Sequence, residues 1–384
     1  ASALARSLTE SAVDVAACEM TGLSTATSRT PSPLLARRLA CAGVLAGLRG
    51  MEVRQEYEQE TGSTDRAMIS RNGMYSRLSW RVGILPGRSP RRSKTLPCGL
   101  PLRLVVPSID SVDPGTFERP PLSEWMSDFA ALLEGPDWPA VAMLDRLRAA
   151  AELADAVVRP AFVAQSPALL ADGQHYEERI RGGRIATREG NWHDLLNALV
   201  WLRWPRIKHA LNVAQCADIA RVGPRQRTRA QCALTHFDEA GAIVFCSDPG
   251  LIELWDRHDW QSLFLGERAA WGSRIAVHVF GHALLELALQ PQRYLVAKTL
   301  VLMVDDDWHA ERDDPDRLRS AIDACIAGLI ADAQVLTDPQ QLRPLPLSGI
   351  PGWHADSGSA SFYDDAPCFR PLRAGRRYPS PAKL

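Results

Sequence analysis

Beyond residue 110 the apolar positions recur mostly at helical spacing. In PPLSEWMSDFAALLEG, residues 120–135, Trp125, Phe129 and Leu132 or Leu133 share one face and Ser123 stands where an N-cap belongs. WPAVAMLDRLRAAAELADAVV, residues 138–158, reads as a second and longer amphipathic helix. In GNWHDLLNALVWLRWP, residues 190–205, Asn191 with Asp194 three residues on makes a cap, Leu195, Leu199 and Leu202 repeat at helical spacing, and Pro205 ends the run. The period then changes. CALTHFDEAGAIVFC, residues 232–246, alternates on either side of DEAG, which predicts a β-hairpin with Gly241 in the left-handed position of a short loop. Helical patterns resume at DPGLIELWDRH and at SRIAVHVFGHALLELAL, residues 273–289, and again at PDRLRSAIDACIAGLIADAQ, residues 315–334. LVAKTLVLMV, residues 295–304, fits a strand or a buried helix equally. From Pro339 the chain is proline-rich, aromatic and irregular. The expected fold class is therefore α+β, a predominantly helical single domain with a hairpin near 232–246 and an irregular C-terminal tail packed on the body.

Charge divides the chain. Residues 1–110 hold 15 Lys and Arg against 9 Asp and Glu, a balance of +6; the remaining 29 against 36 give −7. From Arg66 to Ile109 there are nine basic residues and no acid, punctuated by proline, glycine and serine, and no helical or strand period persists. Residues 1–109 are thus expected to be a basic extension of low order, and residues 110–384 the globular domain. An acidic body argues against a nucleic-acid-binding surface there. The apolar run Leu39 to Leu48 is far shorter than the ~20 residues of a membrane span, so no span is expected. Eight dispersed cysteines with no CxxC pair read as reduced, buried thiols of a cytoplasmic protein.

Four segments carry candidate chemistry. In HVFGHALLE, residues 278–286, successive steps of four place His278, His282 and Glu286 on one helix face, where imidazole and carboxylate suit a divalent metal such as zinc or iron. The competing reading is a core helix with a hydrogen-bonded His282. Gly281 inside the run signals close approach by another element or a ligand. In WHDLLNALVW, His193, Asp194 and Asn197 fall in the first turns of a helix, where an anion or a water is favoured, although capping alone accounts for Asp194. In FDEAG, Asp238 and Glu239 could ligate a metal or serve as a base, although the ordinary turn residue is the simpler reading. In PGWHADSGSASFYDDAPCFRPLR, Asp364, Asp365, Arg370 and Arg373 sit among aromatics that require a docking surface. No GxSxG elbow, GxxxxGK[ST] loop or GxGxxG turn is present.

The strings YEERI, TREGNWHDLLNALVW, PRIKHALN, ALTHFDEAG, FGHALLE, LPLSGIPGW, FYDD and FRPLR, in this order, make the chain resemble a bacterial domain family of unknown function over about half its length, with the first hundred residues excluded. The resemblance implies no activity. By position, the family's polar motif residues fall on His193, Asp194, Asn197, Lys208, Asn212, Asp238, Glu239, His282, Glu286, Asp364 and Asp365. His278 lies outside the pattern, which leaves His282 with Glu286. Where the family carries an acid just before Ala-Leu-Thr, this chain has Gln231 and Cys232, so no role resting on that acid carries over.

The leading expectation is a cytoplasmic hydrolase that gathers His193, Asp194, His282 and Glu286 in a helix-walled cleft closed by the tail. A divalent ion on these residues, or an imidazole, activates water, and Asn197, Lys208, Arg370 and Arg373 bind a small anionic substrate. The rival expectation is a binding or scaffold module in which the same residues form a buried structural network. For the chain boundary, a protein begun at Asp110 is expected to keep nearly the thermal stability of the full chain. A loss of solubility or a large fall in melting temperature on that truncation would put the first hundred residues in the core.

Overall fold

The computed structural model describes residues 109–133, 137–154, 159–309 and 315–384. The basic extension expected at residues 1–109 lies almost wholly outside the described residues. Helix α1 (Ser123–Phe129) begins with Leu122 rather than Ser123 at its N-cap, and α2 (Val141–Ala154) occupies the second amphipathic stretch. Strands β1 (Ala161–Ala164) and β2 (Arg184–Thr187) pair in parallel around the short helix α3 (Tyr176–Arg181). Helix α4 (Trp192–Arg203) starts as expected, with the Asn191 side chain accepting the Asp194 N–H at 3.1 Å. Pro205 both ends α4 and opens α5 (Pro205–Val222), because a residue without an N–H costs nothing at a first helical position. The free N–H groups of α5 are met from outside: Asp323 of α9 (Pro315–Ala331) accepts those of Arg206 and Ile207 at 3.0 and 2.9 Å.

Two expectations are overturned, and both corrections matter for the site. Residues 232–246 form no hairpin. Helix α6 (Arg229–Ala240) occupies most of that range, started by a capping box in which Thr228 accepts from Gln231 N and Gln231 reaches back to Thr228 N. It passes without a loop into strand β3 (Gly241–Cys246), and Gly241 is extended (φ −75°, ψ 152°) rather than left-handed. Residues 273–289 are not one helix either. Ile275–Val279 is strand β4, rich in β-branched residues, and after a break at Phe280 and Gly281 helix α8 covers His282–Ala288. His278 therefore belongs to the sheet, with its ring edge-on to Trp204 and Phe245. Helix α7 (Pro249–Asp256) lies between β3 and β4 in sequence, as its pattern predicts.

The undecided run near 295–304 is strand β5 (Val296–Met303). β3 pairs antiparallel with β4 and parallel with β5. The other edge of β5 is covered by antiparallel β6 (Arg343–Pro346) and then by parallel β7 (Ala382–Lys383). Ala242 to Cys246 are wholly buried, which is why the central strand reads as an unbroken apolar run rather than an alternation. The result is an α+β body in which helices dominate. Among the described residues no helix is long and apolar enough to cross a membrane.

The irregular tail docks as its composition requires. Arg343 pairs with Asp256 at 2.6 Å and donates to Pro379 O, while His258 hydrogen-bonds Arg370 O and the Tyr378 hydroxyl. Phe369 and Tyr363, the latter on α10 (Ala360–Asp365), pack their rings against Phe264.

The sheet and helices meet most tightly at two glycines. A Cβ on Gly281 would lie 2.5 Å from Ala240 Cα, and the N–H groups of Phe280 and Gly281 both donate to Gly241 O at 2.9 Å. Gly281→Ala is therefore expected to destabilise the fold by about 1–3 kcal/mol or more, since the neighbouring atoms are backbone and cannot yield. An unchanged urea midpoint for this variant would show that the crossing is looser than its geometry.

Candidate metal centre

The crossing of the two glycines sets the last turn of α6 against the first turn of α8. Glu239 and Asp238 sit on the first, His282 on the second, and the N-terminal turn of α4 brings His193 opposite. The two imidazoles meet edge to face, centroids 4.5 Å apart, with His282 Nε2 3.2 Å from His193 Nε2. Glu239 Oε2 stands 3.6 Å from His282 Nε2. One atom from each of His193, Glu239 and His282 falls within 4.8 Å of the other two.

The outer ring nitrogens also face carboxylates. His193 Nδ1 lies 2.9 Å from Glu286 Oε2, one turn along α8 from His282. His282 Nδ1 is buried, has the Asp238 backbone beside it without full hydrogen-bond geometry, and lies 4.0 Å from Asp238 Oδ2. Side-chain exposure rises from 5% at His282 through 24% at Glu239 to 33% at His193, so the cluster is sealed on one side and open to solvent on the other.

Electrostatics separates the two histidines. Burial depresses the pKa of His282 well below the usual imidazole range, and the neighbouring His193 and Lys208 push the same way. Burial also lowers that of His193, but the Glu286 hydrogen bond and the charges of Glu239, Glu286 and Asp194 outweigh it, so the net shift is upward. Glu239 is raised, first by burial and then by Asp238 and Glu286, against the opposing pull of His193 and Lys208.

Of the residues singled out in the sequence, His193, His282 and Glu286 come together. Asp194 does not join them through its carboxylate, which accepts the Arg188 N–H at 2.6 Å and the Arg188 guanidinium at 2.7 and 3.0 Å. Glu239, which the sequence places in a turn, stands in its place. Lys208 is buried and committed, donating to Asp238 Oδ1 at 2.6 Å and Asn197 Oδ1 at 2.9 Å, with its ammonium 5.3 Å from the Trp201 ring centroid. Asn197 in turn donates to the Tyr176 hydroxyl at 3.2 Å. These two hold the site rather than offer a charge to a ligand. Burial and then the charges of Arg373, Arg376 and Arg370 lower the pKa of Lys298, whereas the shifts of His193 and His282 owe nothing to Arg370 or Arg373. Asp364 and Asp365 are exposed at the end of α10.

A family model described as Protein of unknown function (DUF3025) matches residues 160–373, more than half of the chain. The chain belongs to this family. No curated protein and no solved structure matches it. The matched span takes in every residue of the cluster, from His193 on α4 to Glu286 on α8.

The pair of Lys208 and Asp238 generates a stability prediction. Removing one partner of a buried ion pair leaves the other uncompensated, so Lys208→Met is expected to cost about 3–5 kcal/mol in chemical denaturation. A loss below about 1 kcal/mol would place the pair with weakly coupled surface pairs.

Proposed function

We propose that the protein is a metal-dependent hydrolase of the cytoplasm, in which His193, His282 and Glu239 hold a divalent ion that activates water against a small anionic substrate. The observation that carries this reading is the spacing of the inner atoms. Ligands at the 2.0–2.1 Å bonds of a tetrahedral zinc ion stand about 3.3 Å apart, and the separations here are 3.2 Å between the two Nε2 atoms and 3.6 Å from His282 Nε2 to Glu239. Two imidazoles and one carboxylate form a donor set used by catalytic zinc, with a fourth position left for water.

The outer carboxylates support the same reading. An imidazole that binds a metal through Nε2 has its Nδ1–H oriented by an acceptor, and Glu286 takes that place for His193. Asp238, held by Lys208, faces Nδ1 of His282 at longer range. When bound, a divalent ion lowers the pKa of its water toward neutrality. Glu286 keeps the His193 ring in register, and the exposed edge of His193 is the side from which water and substrate enter. The thiols of Cys216, Cys232, Cys246 and Cys368 form no disulfide among the described residues, in keeping with a reducing compartment.

The alternative, a purely structural network, is favoured by the chain Tyr176, Asn197, Lys208, Asp238, in which each member has a partner. It gives no reason for the Nε2 atoms of both histidines and the Glu239 carboxylate to converge at the spacing of a metal's ligands.

Elemental analysis of the purified full-length protein, followed by calorimetric titration with zinc and cobalt(II), separates the two. One divalent ion per chain is expected. His282→Gln and Glu239→Gln should abolish binding with little loss of stability, and Glu286→Gln should weaken it by about 10–100-fold. His278→Gln should leave it unchanged. If the wild type takes up neither ion and His282→Gln is destabilised by about 1–3 kcal/mol, the cluster is structural.

A further inference from the structure

At the far end of α8 from His282 lies a cleft of about 390 Å³, walled by residues of three segments: Thr116 to Pro121, Leu347 to Ala355, and Ala288 to Leu295. Its size falls in the range of small-molecule sites, roughly 300–1,000 Å³. The second segment includes most of the LPLSGIPGW string, while the first precedes the span matched by the family model. The metal centre uses none of these residues.

The polar groups of the cleft are of one kind. Thr116 is 3% exposed and Ser348 8%, yet neither hydroxyl has a hydrogen-bond partner among the described residues, although both line the cleft. The indole N–H of Trp353 is likewise unpartnered there. Arg119 and Arg293 stand exposed at the mouth. Arg293 Nε donates to Gln290 Oε1, which leaves its terminal N–H groups unpaired, and the Arg119 guanidinium has no hydrogen bond or ion pair among the described residues. The lining holds no Asp or Glu; the neighbouring Asp356 lies 3.7 Å from His354 Nδ1. Pro120, Pro121, Leu347 and the Trp353 ring supply apolar wall.

The Thr116 and Ser348 side chains are packed into the wall with their hydroxyls left to the cleft, where water or a ligand can meet them. Hydroxyls, an indole N–H and two guanidinium groups can all donate hydrogen bonds to one acceptor-rich group. Two positive charges with no carboxylate between them select that group's sign, since guanidinium pairs with carboxylate or phosphate in matching geometry. We propose that this cleft binds a small organic anion, its carboxylate or phosphate held by Arg119, Arg293, Thr116 and Ser348 and its apolar body against Trp353. The proposal does not depend on the metal reading, because the two sites share only α8.

The test is calorimetric titration of the full-length protein with benzoate and phenyl phosphate, and with benzamide as a neutral isostere of benzoate. Each titration is run with and without a neutral chelator, so that ligation by a metal is read separately. Both anions are expected to bind at millimolar concentrations, as suits fragments of this size, and benzamide at least about tenfold more weakly. Arg119→Gln, Arg293→Gln and Ser348→Ala should each weaken the anions by several-fold to about tenfold. The two arginines are exposed, so their variants should fold. Failure of both anions to bind, equal binding of benzamide, or arginine variants with unchanged affinity would overturn the proposal. Binding that appears only without the chelator would assign the anion to the metal centre instead.

Discussion

The close approach of Gly241 and Gly281 is the contact on which the rest of the structure depends. The N–H groups of Phe280 and Gly281 share the carbonyl of Gly241, and there is no room for a Cβ at either glycine: at Gly281 it would meet the backbone of Ala240, at Gly241 the carbonyl and ring of Phe237. Backbone can approach backbone so closely only where side chains are missing. The consequence is positional. A helix that runs directly into the central strand, and a helix that begins just after the neighbouring strand ends, are held with their tips in contact, and the residues flanking the glycines are Glu239 and His282. Precision in the site thus comes from rigid secondary structure rather than from loops.

Burial then differentiates two chemically identical rings. His282 is on the sealed side, beside the Lys208 ammonium, and its charged form is disfavoured from three directions. His193 is nearer to solvent and faces Glu286, Glu239 and Asp194, which together outweigh its own desolvation. With the Nε2 atoms 3.2 Å apart, one ring must donate to the other or both must face a cation. A protonated His193 donating to a neutral His282 satisfies the first condition, and a divalent ion satisfies the second. The same three carboxylates favour positive charge in either case.

What the sequence makes legible follows the length and clarity of each period. The helices at 192–203 and 315–331 were readable because their apolar spacing is sustained and, in the first, because Asn191 caps where a cap is expected. The reading failed where a short pattern served two structures. In CALTHF an apparent alternation concealed a helix whose capping box, Thr228 with Gln231, begins just before it. In SRIAVHVFGHALLELAL the helical spacing of His278, His282 and Glu286 was accidental, since a β-branched strand ends before Gly281 and a helix starts after it. Gly281 was correctly suspected of close approach, but its partner was a second glycine forty residues earlier, beyond the reach of any local pattern. Glu239, named with Asp238 as a metal ligand or base, was set below the histidines for the same reason: once DEAG is read as a turn, its acids look like turn residues. Asp194 was drawn in by proximity in sequence to His193, although adjacent helical positions point about 100° apart and its carboxylate turns back to Arg188.

Helix α8 carries both candidate sites, and its length explains how they coexist. Its first turn bears His282 and faces Asp238 and Glu239, Glu286 follows one turn along, and its last residue, Ala288, lines the cleft with Arg119 and Arg293. One end therefore lies in a surrounding that attracts a cation, the other in one that attracts an anion. Seven residues span about 10 Å, slightly more than the screening length of about 8 Å at physiological ionic strength. Over that distance salt screens the exposed guanidinium groups of Arg119 and Arg293, so they do little to weaken a cation at the histidines. A shorter spacer would set the two fields against each other, whereas two turns of helix are enough for opposite charges to be recognised at either end of one element.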